Sequence, residues 1–198
     1  MKKINATQLK QLVEAAIFVA DKPITKQELK ETVLAGFSVA DRTLSKVLNE
    51  LKLDYQPRGV QLVEVSSGFR FQSLDALSPW LSNLWQENAP RYSRAMLETL
   101  ALIAYRQPIT RGEIEQVRGV AVSSNIMKTL TEREWVTIVG HKEVPGRPAL
   151  YATTKTFLDY FSLTSLSELP SAEAFETLAD NLDTHSSLKV LNEAPSES

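Results

Sequence analysis

The chain has 198 residues, 22 basic against 24 acidic side chains, a formal net charge of −2 at pH 7, and no cysteine. That length accommodates two domains of roughly 70–100 residues, and the missing thiols exclude disulfides, Cys–zinc sites and thiol chemistry and fit a reducing compartment. The charge is uneven: residues 171–198 hold Lys189 against six acids, which leaves 21 cations against 18 acids elsewhere, far from the strong basic stripe of a nucleic-acid binder.

No secretory signal or span is legible at the start. Asn5, Thr7, Gln8 and Lys10 interrupt any apolar stretch after Met1-Lys2-Lys3, and Ala15 to Ala20 is too short to cross a bilayer. The expectation is a cytoplasmic protein with no membrane partner.

The first helix carries Leu9, Leu12, Val13, Ala16 and Ile17 at amphipathic spacing. Pro23-Ile24-Thr25-Lys26-Gln27-Glu28-Leu29 then starts a second helix. Thr25 at the N-cap and Glu28 at N3 close a capping box, and Ile24 with Leu29 forms a hydrophobic staple. This helix is predicted to stop near Gly36. Asp41 is predicted to cap a third helix with Leu44, Val47, Leu48 and Leu51 on its buried stripe. Gly59 to Gln72 reads as a hairpin turning at Ser67-Gly68, with Phe69 and Phe71 on one face. Three helices and a hairpin make a winged helix.

Between Asp75 and Tyr92 lies a connector. Ser78-Pro79 starts a short helix that carries Trp80, Leu81, Leu84 and Trp85 and ends before Pro90. Its apolar face either packs onto its own domain or forms a subunit interface, where Trp is enriched.

The first order of elements then recurs. Pro108-Ile109-Thr110-Arg111-Gly112-Glu113-Ile114 repeats the capped helix start 85 positions on. Leu97, Leu100, Ala101 and Ala104 supply the preceding stripe, and Ile126 and Leu130 match Leu44 and Leu48. Trp135 to Val139 reads as a strand, Gly140 to Pro148 as the wing, and Ala149 to Thr153 as the return strand. A further helix over 154–161 seats Phe157, Leu158 and Phe161. Beyond Pro170 the polar, Ser/Glu-rich composition predicts disorder, with Phe175, Leu178, Ala179 and Leu182 at helical spacing.

Catalytic patterns are missing. There is no phosphate-cradling glycine loop, and His141 and His185 stand alone, so no enzyme activity, metal or cofactor is expected. Glu113/Glu115 and Glu132/Glu134 are two apart on helices and cannot face one another. The third helices give little support to groove reading. Arg42, Lys46 and Lys52 are matched by Asp41, Glu50 and Asp54, and Lys128 and Arg133 by Glu132 and Glu134. In Val144-Pro145-Gly146-Arg147-Pro148, Pro148 is expected to hold Arg147 extended. The string serves either as a rigid wing tip or as a pre-organised arginine for a carboxylate or phosphate.

The run from Leu97 to Arg111 (LETLALIAYRQPITR), Arg118-Gly119-Val120, Lys142 to Pro148 (KEVPGRP) and Tyr151-Ala152-Thr153-Thr154 resembles the ScpB family of segregation and condensation proteins. The resemblance is close over about residues 95–163 and extends to the first domain and connector in layout. Trp135 departs from it, standing where a smaller aliphatic is expected. The resemblance implies a non-enzymatic subunit of a bacterial condensin, a homodimer that binds the kleisin ScpA and through it the SMC ATPase. Its role would be in chromosome condensation and partition.

The expected architecture is mainly α with small β-wings: two tandem winged-helix domains, a short helical connector and a disordered tail. The expected limits are 1–75 for the dimerising domain, 76–92 for the connector, 93–163 for the kleisin-contacting domain and 164–198 for the acidic tail. Tyr105, Arg106, Lys142 and Arg147 are the expected partner-binding residues, and Trp80, Leu81, Leu84 and Trp85 the expected dimer interface. The alternative is a tandem winged-helix, DNA-binding transcription regulator.

Overall fold

Both helix starts form as their residues dictate. Thr25 accepts the Glu28 N–H at 3.0 Å, and Glu28 returns a carboxylate oxygen to the Thr25 N–H at 2.7 Å. Thr110 and Glu113 do the same at 3.3 and 2.8 Å. Around these caps a computed structural model describes residues 2–84 and 92–171. Trp85, Pro90 and the amphipathic spacing after Phe175 lie outside the described residues. Met1–Leu166 make one compact unit and Ser167–Ser198 a second.

The first repeat comprises α1 (Ala6–Val19), α2 (Lys26–Glu31), α3 (Asp41–Tyr55) and a hairpin of β1 (Val60–Val65) and β2 (Gly68–Ser73). Leu62 faces Phe71 and Glu64 faces Phe69 across the hairpin, and Ile24 bridges to Phe69. The buried side chains from Leu9 to Phe69 form one cluster, against which Phe71 packs. A 3-10 turn at Asp75–Leu77 leads into α4 (Ser78–Leu81).

The second repeat runs α5 (Arg94–Arg106), β3 (Ile109–Thr110), α6 (Arg111–Arg118), α7 (Ser124–Glu132), β4 (Val136–His141), β5 (Ala149–Thr153) and α8 (Lys155–Tyr160). Its sheet has the order β3-β5-β4, all antiparallel, with an irregularity between Ile138 and Gly140. These are two winged helices in tandem.

Several expectations need correction. α2 stops at Glu31, well before Gly36, because Thr32 leaves the helical region and the Leu34 N–H turns back to the Leu29 carbonyl at 3.0 Å. The early break buries Leu34. Ala40, not Asp41, is the N-cap of α3; Asp41 lies inside the first turn and pairs with Lys30 at 2.8 Å. Leu77 likewise displaces Ser78 at the cap of α4.

The buried face of α5 is rotated from the expected one. Leu97 is 43% exposed, while Met96, Thr99, Leu100, Ile103 and Ala104 are buried. Thr99 enters the core because its hydroxyl donates to the Ala95 carbonyl at 2.8 Å, which removes the cost of burying it. Met127, not Ile126, joins Leu130 on the buried face of α7. Arg147 is not extended: its φ is +38°, since its N–H closes the turn onto the Val144 carbonyl at 2.9 Å. Gly146, at φ +84°, supplies the left-handed residue after Pro145.

Candidate functional site

Two of the expected partner-binding residues, Lys142 and Arg106, lie by the start of α6. The Glu113 carboxylate accepts from the Thr110 N–H at 2.8 Å, from the Thr110 hydroxyl at 2.7 Å and from Lys142 Nζ at 2.6 Å. The Lys142 ammonium, joined by both Thr110 donors, holds this carboxyl far below its usual 4.5, at about 2. Lys142 therefore braces the wing against the helix start. Arg106, at the end of α5, lines a cleft of about 510 Å3 with Pro108, Ile109, Glu113, Gln116 and Val117. Ile109 is buried, and Val117 is 45% exposed.

The structure thus ties Lys142 to Glu113, while Arg106 lines the same cleft as that carboxylate without pairing with it. Arg147 stays at the wing tip, paired with Glu143 at 3.4 Å with both side chains largely in solvent, which makes this pair weak. Tyr105, half-exposed on α5, does not line the cleft. Ile109, Gln116 and Val117 were missed from the sequence. The only signal was Val117, an apolar residue at i+3 from the core-facing Ile114, and its exposure is seen only in the structure.

The loop behind the cleft is fixed by two charges of α6. Arg111 Nε pairs with Glu115 at 3.0 Å and its Nη2 donates to the Val122 carbonyl. Glu115 accepts the Val122 N–H at 2.9 Å, which with Arg111 lowers its pKa. Arg118 is almost enclosed and donates to Glu98 at 3.0 Å, drawing that carboxyl down as well. The Gln107 side chain joins α5 to β5, accepting the Thr153 N–H at 2.7 Å and donating to the Ala104 carbonyl at 3.1 Å.

On the connector, Trp80 and Leu84 are 68% and 72% exposed and Leu81 is half-buried. Phe18 and Val19, at the end of α1, also face outward. Trp135, by contrast, is 2% exposed, enclosed by Tyr92, Tyr160 and Phe161 at ring-centroid distances of 5.2, 4.5 and 5.7 Å. Arg133 lies over the Tyr92 and Trp135 rings at 4.9 and 5.5 Å.

The lysines of the third helices are engaged, whereas Arg42 on α3 has no ion pair among the described residues. Lys46 pairs with Glu50 at 3.8 Å, Lys52 with Glu64 at 2.7 Å and Lys128 with Glu132 at 3.6 Å. Among the described residues no group of three or more His, Asp or Glu could hold a metal ion, and no helix is long and apolar enough to cross a membrane.

Comparison with known proteins gives a consistent answer. Residues 11–172 match the family described as segregation and condensation complex subunit ScpB. The segregation and condensation protein B homolog of Coxiella burnetii is 56% identical over 164 residues, 83% of this chain and 78% of that protein. Segregation and condensation protein B of Desulforamulus reducens is 42% identical over 178 residues, 89% of this chain and 96% of that protein. A crystal structure of a dimer of the ScpB N-terminal domain complexed with ScpA peptide is 26% identical and covers 40% of this chain and 94% of that one. Its TM-score of 0.34 is too low for the superposition to carry an argument.

Proposed function

The chain belongs to the ScpB family of segregation and condensation complex subunits, and from that premise we propose that it is a non-enzymatic adaptor of a bacterial condensin. It dimerises through its N-terminal half, binds the kleisin ScpA with its C-terminal repeat, and through the kleisin joins the SMC ATPase. It acts in the cytoplasm, in chromosome condensation and partition. The working limits are residues 1–75 for the dimerising domain, 76–92 for the connector, 93–163 for the kleisin-contacting domain and 164–198 for the tail.

The observation that carries this reading is the pairing of Lys46, Lys52 and Lys128 with acids on or beside their own helices. A helix that reads a groove presents several unopposed cations to phosphates. These helices do not, which disfavours the tandem winged-helix transcription regulator. The exposed Trp80 and Leu84 support the connector as the dimer interface, with the half-buried Leu81 and, outside the described residues, Trp85 as its further candidates. Arg106 in the cleft and Lys142, paired with the Glu113 that lines it, support a basic rim for an acidic-flanked kleisin segment, with Tyr105 and Arg147 as its outer members.

Titration of the full chain with purified kleisin and, separately, with a random DNA duplex tests the adaptor reading. Kleisin binding with only weak duplex binding is expected. Salt-sensitive duplex binding well below micromolar, with no kleisin binding, would establish the regulator instead. Light scattering on the full chain should report a dimer, and Trp80→Ala with Leu84→Ser should shift it towards monomer.

A further inference from the structure

The hairpin of the first repeat turns at Ser66 and Ser67, between the paired residues Val65 and Gly68. The two N–H groups of such a turn have no partner in their own ladder and ordinarily point to water. Here both donate into the second repeat. The Ser67 N–H reaches Asp159 Oδ1 on α8 at 2.9 Å, and the Ser66 N–H reaches the Leu163 carbonyl, just beyond that helix, at 2.9 Å.

The turn that ends α8 carries a second set of contacts to the same hairpin. The Ser162 N–H returns to the Asp159 carbonyl at 3.2 Å and the Leu163 N–H to the Leu158 carbonyl at 2.8 Å, the paired bonds of a helix that closes on a left-handed residue. That residue is Ser162, at φ +56°, where glycine is the unstrained choice. What the serine adds is its hydroxyl. Arg70 Nη2 donates to Ser162 Oγ at 3.3 Å, and Oγ donates to Gln72 Oε1 at 3.2 Å, both partners lying on β2.

Beside these bonds lies a cavity of about 690 Å3, lined by Lys22, Glu28 and Arg70 from one repeat and by Glu134, Lys155 and Asp159 from the other. The junction is thus polar and hollow where each repeat has a packed apolar interior. Contacts of that kind between domains open at lower cost than the domains unfold.

We infer that the turn at Asp159–Leu163 is a latch: it holds the first repeat's hairpin tip to the second repeat, and its release lets the two repeats move independently with both folds intact. The latch goes beyond the adaptor reading and does not depend on any partner.

The test is amide hydrogen exchange, followed by NMR on the full chain, with the buried Leu48 and Leu130 as reporters of the two interiors. In the unaltered chain the Ser66 and Ser67 amides should be protected, unlike those of a free hairpin turn. Asp159→Ala removes the acceptor of Ser67 alone, yet it should speed exchange at both amides by about tenfold or more while Leu48 and Leu130 keep their protection. Ser162→Gly relieves the left-handed strain and removes only the hydroxyl, so it should speed both amides by about threefold. If Asp159→Ala unfolds the second repeat, Ser162→Gly decides alone. Unprotected turn amides in the unaltered chain would overturn the inference. Loss confined to Ser67 in Asp159→Ala would overturn it, because the two bonds would then act separately. Unchanged exchange in both variants, or lost protection of Leu48 or Leu130 in Ser162→Gly, would overturn it in favour of one inseparable body.

Discussion

The two repeats begin with the same capped helix and put it to different uses. In the first, the hairpin turns within two residues, Ser66 and Ser67, and its tip meets the end of α8 through the Ser67–Asp159 and Ser66–Leu163 hydrogen bonds. In the second, the wing is long, and Lys142 anchors it to the start of its own α6 through Glu113. The cap of the first repeat therefore borders a cavity that α8 also lines, and the cap residue Glu113 of the second a cleft lined by its own repeat. A shared local code sets where helices begin. Loop length and a few side chains then decide which surface remains for a partner.

The largest expected difference lies at Trp135, which precedes β4 as the side-chain-free Gly59 precedes β1. Trp135→Ala should cost about 3–5 kcal/mol by denaturant unfolding, because it empties a fully enclosed site among three rings and Arg133. A loss under about 1 kcal/mol would mean that this cluster does not hold the second repeat together.

Turn glycines sharpen the contrast next. At Gly68, φ +132°, an added Cβ would lie 2.4 Å from the Ile24 carbonyl oxygen; at Gly146, φ +84°, it would meet open space. Gly68→Ala should therefore cost well over about 1 kcal/mol, since strain and a backbone clash add, whereas Gly146→Ala should cost about 1 kcal/mol from strain alone. Equal losses in thermal melts would show that the first hairpin does not press on the Pro-Ile-Thr turn.

Removing the caps should have similar effects in both repeats. Thr25→Ala and Thr110→Ala should each cost ~1 kcal/mol. If both are silent, the capping boxes contribute nothing to either fold.

The smallest expected effect is a difference in acid response. Folding lowers the pKa of both Glu28 and Glu113, the first through Thr25, the second through Lys142 as well as Thr110. A depressed carboxylate stabilises the fold above its unfolded pKa, and that contribution is lost as pH falls through the folded value. For Glu113 the loss runs from about 4.5 down to about 2. Carboxyl titration by NMR should place the Glu113 midpoint below that of Glu28. Lys142→Ala should move it upward while leaving Glu28 in place. Because the Lys142–Glu113 pair is substantially exposed, the accompanying stability change should be small.

Much of the fold was legible because it is written in neighbouring residues. Both capping boxes, the hairpin with Phe69 and Phe71 against one core, and the helix capped by Thr154 follow from contacts within a few positions. The α5 face was misread because Thr99 satisfies its hydroxyl inside the helix and so occupies a core position that hydropathy assigns to an apolar residue. Arg147 was misread because closing the wing onto Val144 overrides the usual restraint of the following proline. Of the expected site residues, Lys142 pairs with Glu113, which no spacing rule predicts across 29 positions.

By itself the sequence determined the duplication, the helix starts and the family, since these depend on short-range hydrogen bonding, periodicity and strings of residue types. Tertiary structure alone decided that the end of α8 meets the first repeat's hairpin tip while the second repeat's wing is held to its own α6. That choice depends on loop lengths and on pairs such as Ser67–Asp159, 92 positions apart, which form only once both repeats have folded. It also turned Lys142 from a free rim cation into the brace of its own wing, because a lysine takes the nearest unshared carboxylate that packing offers.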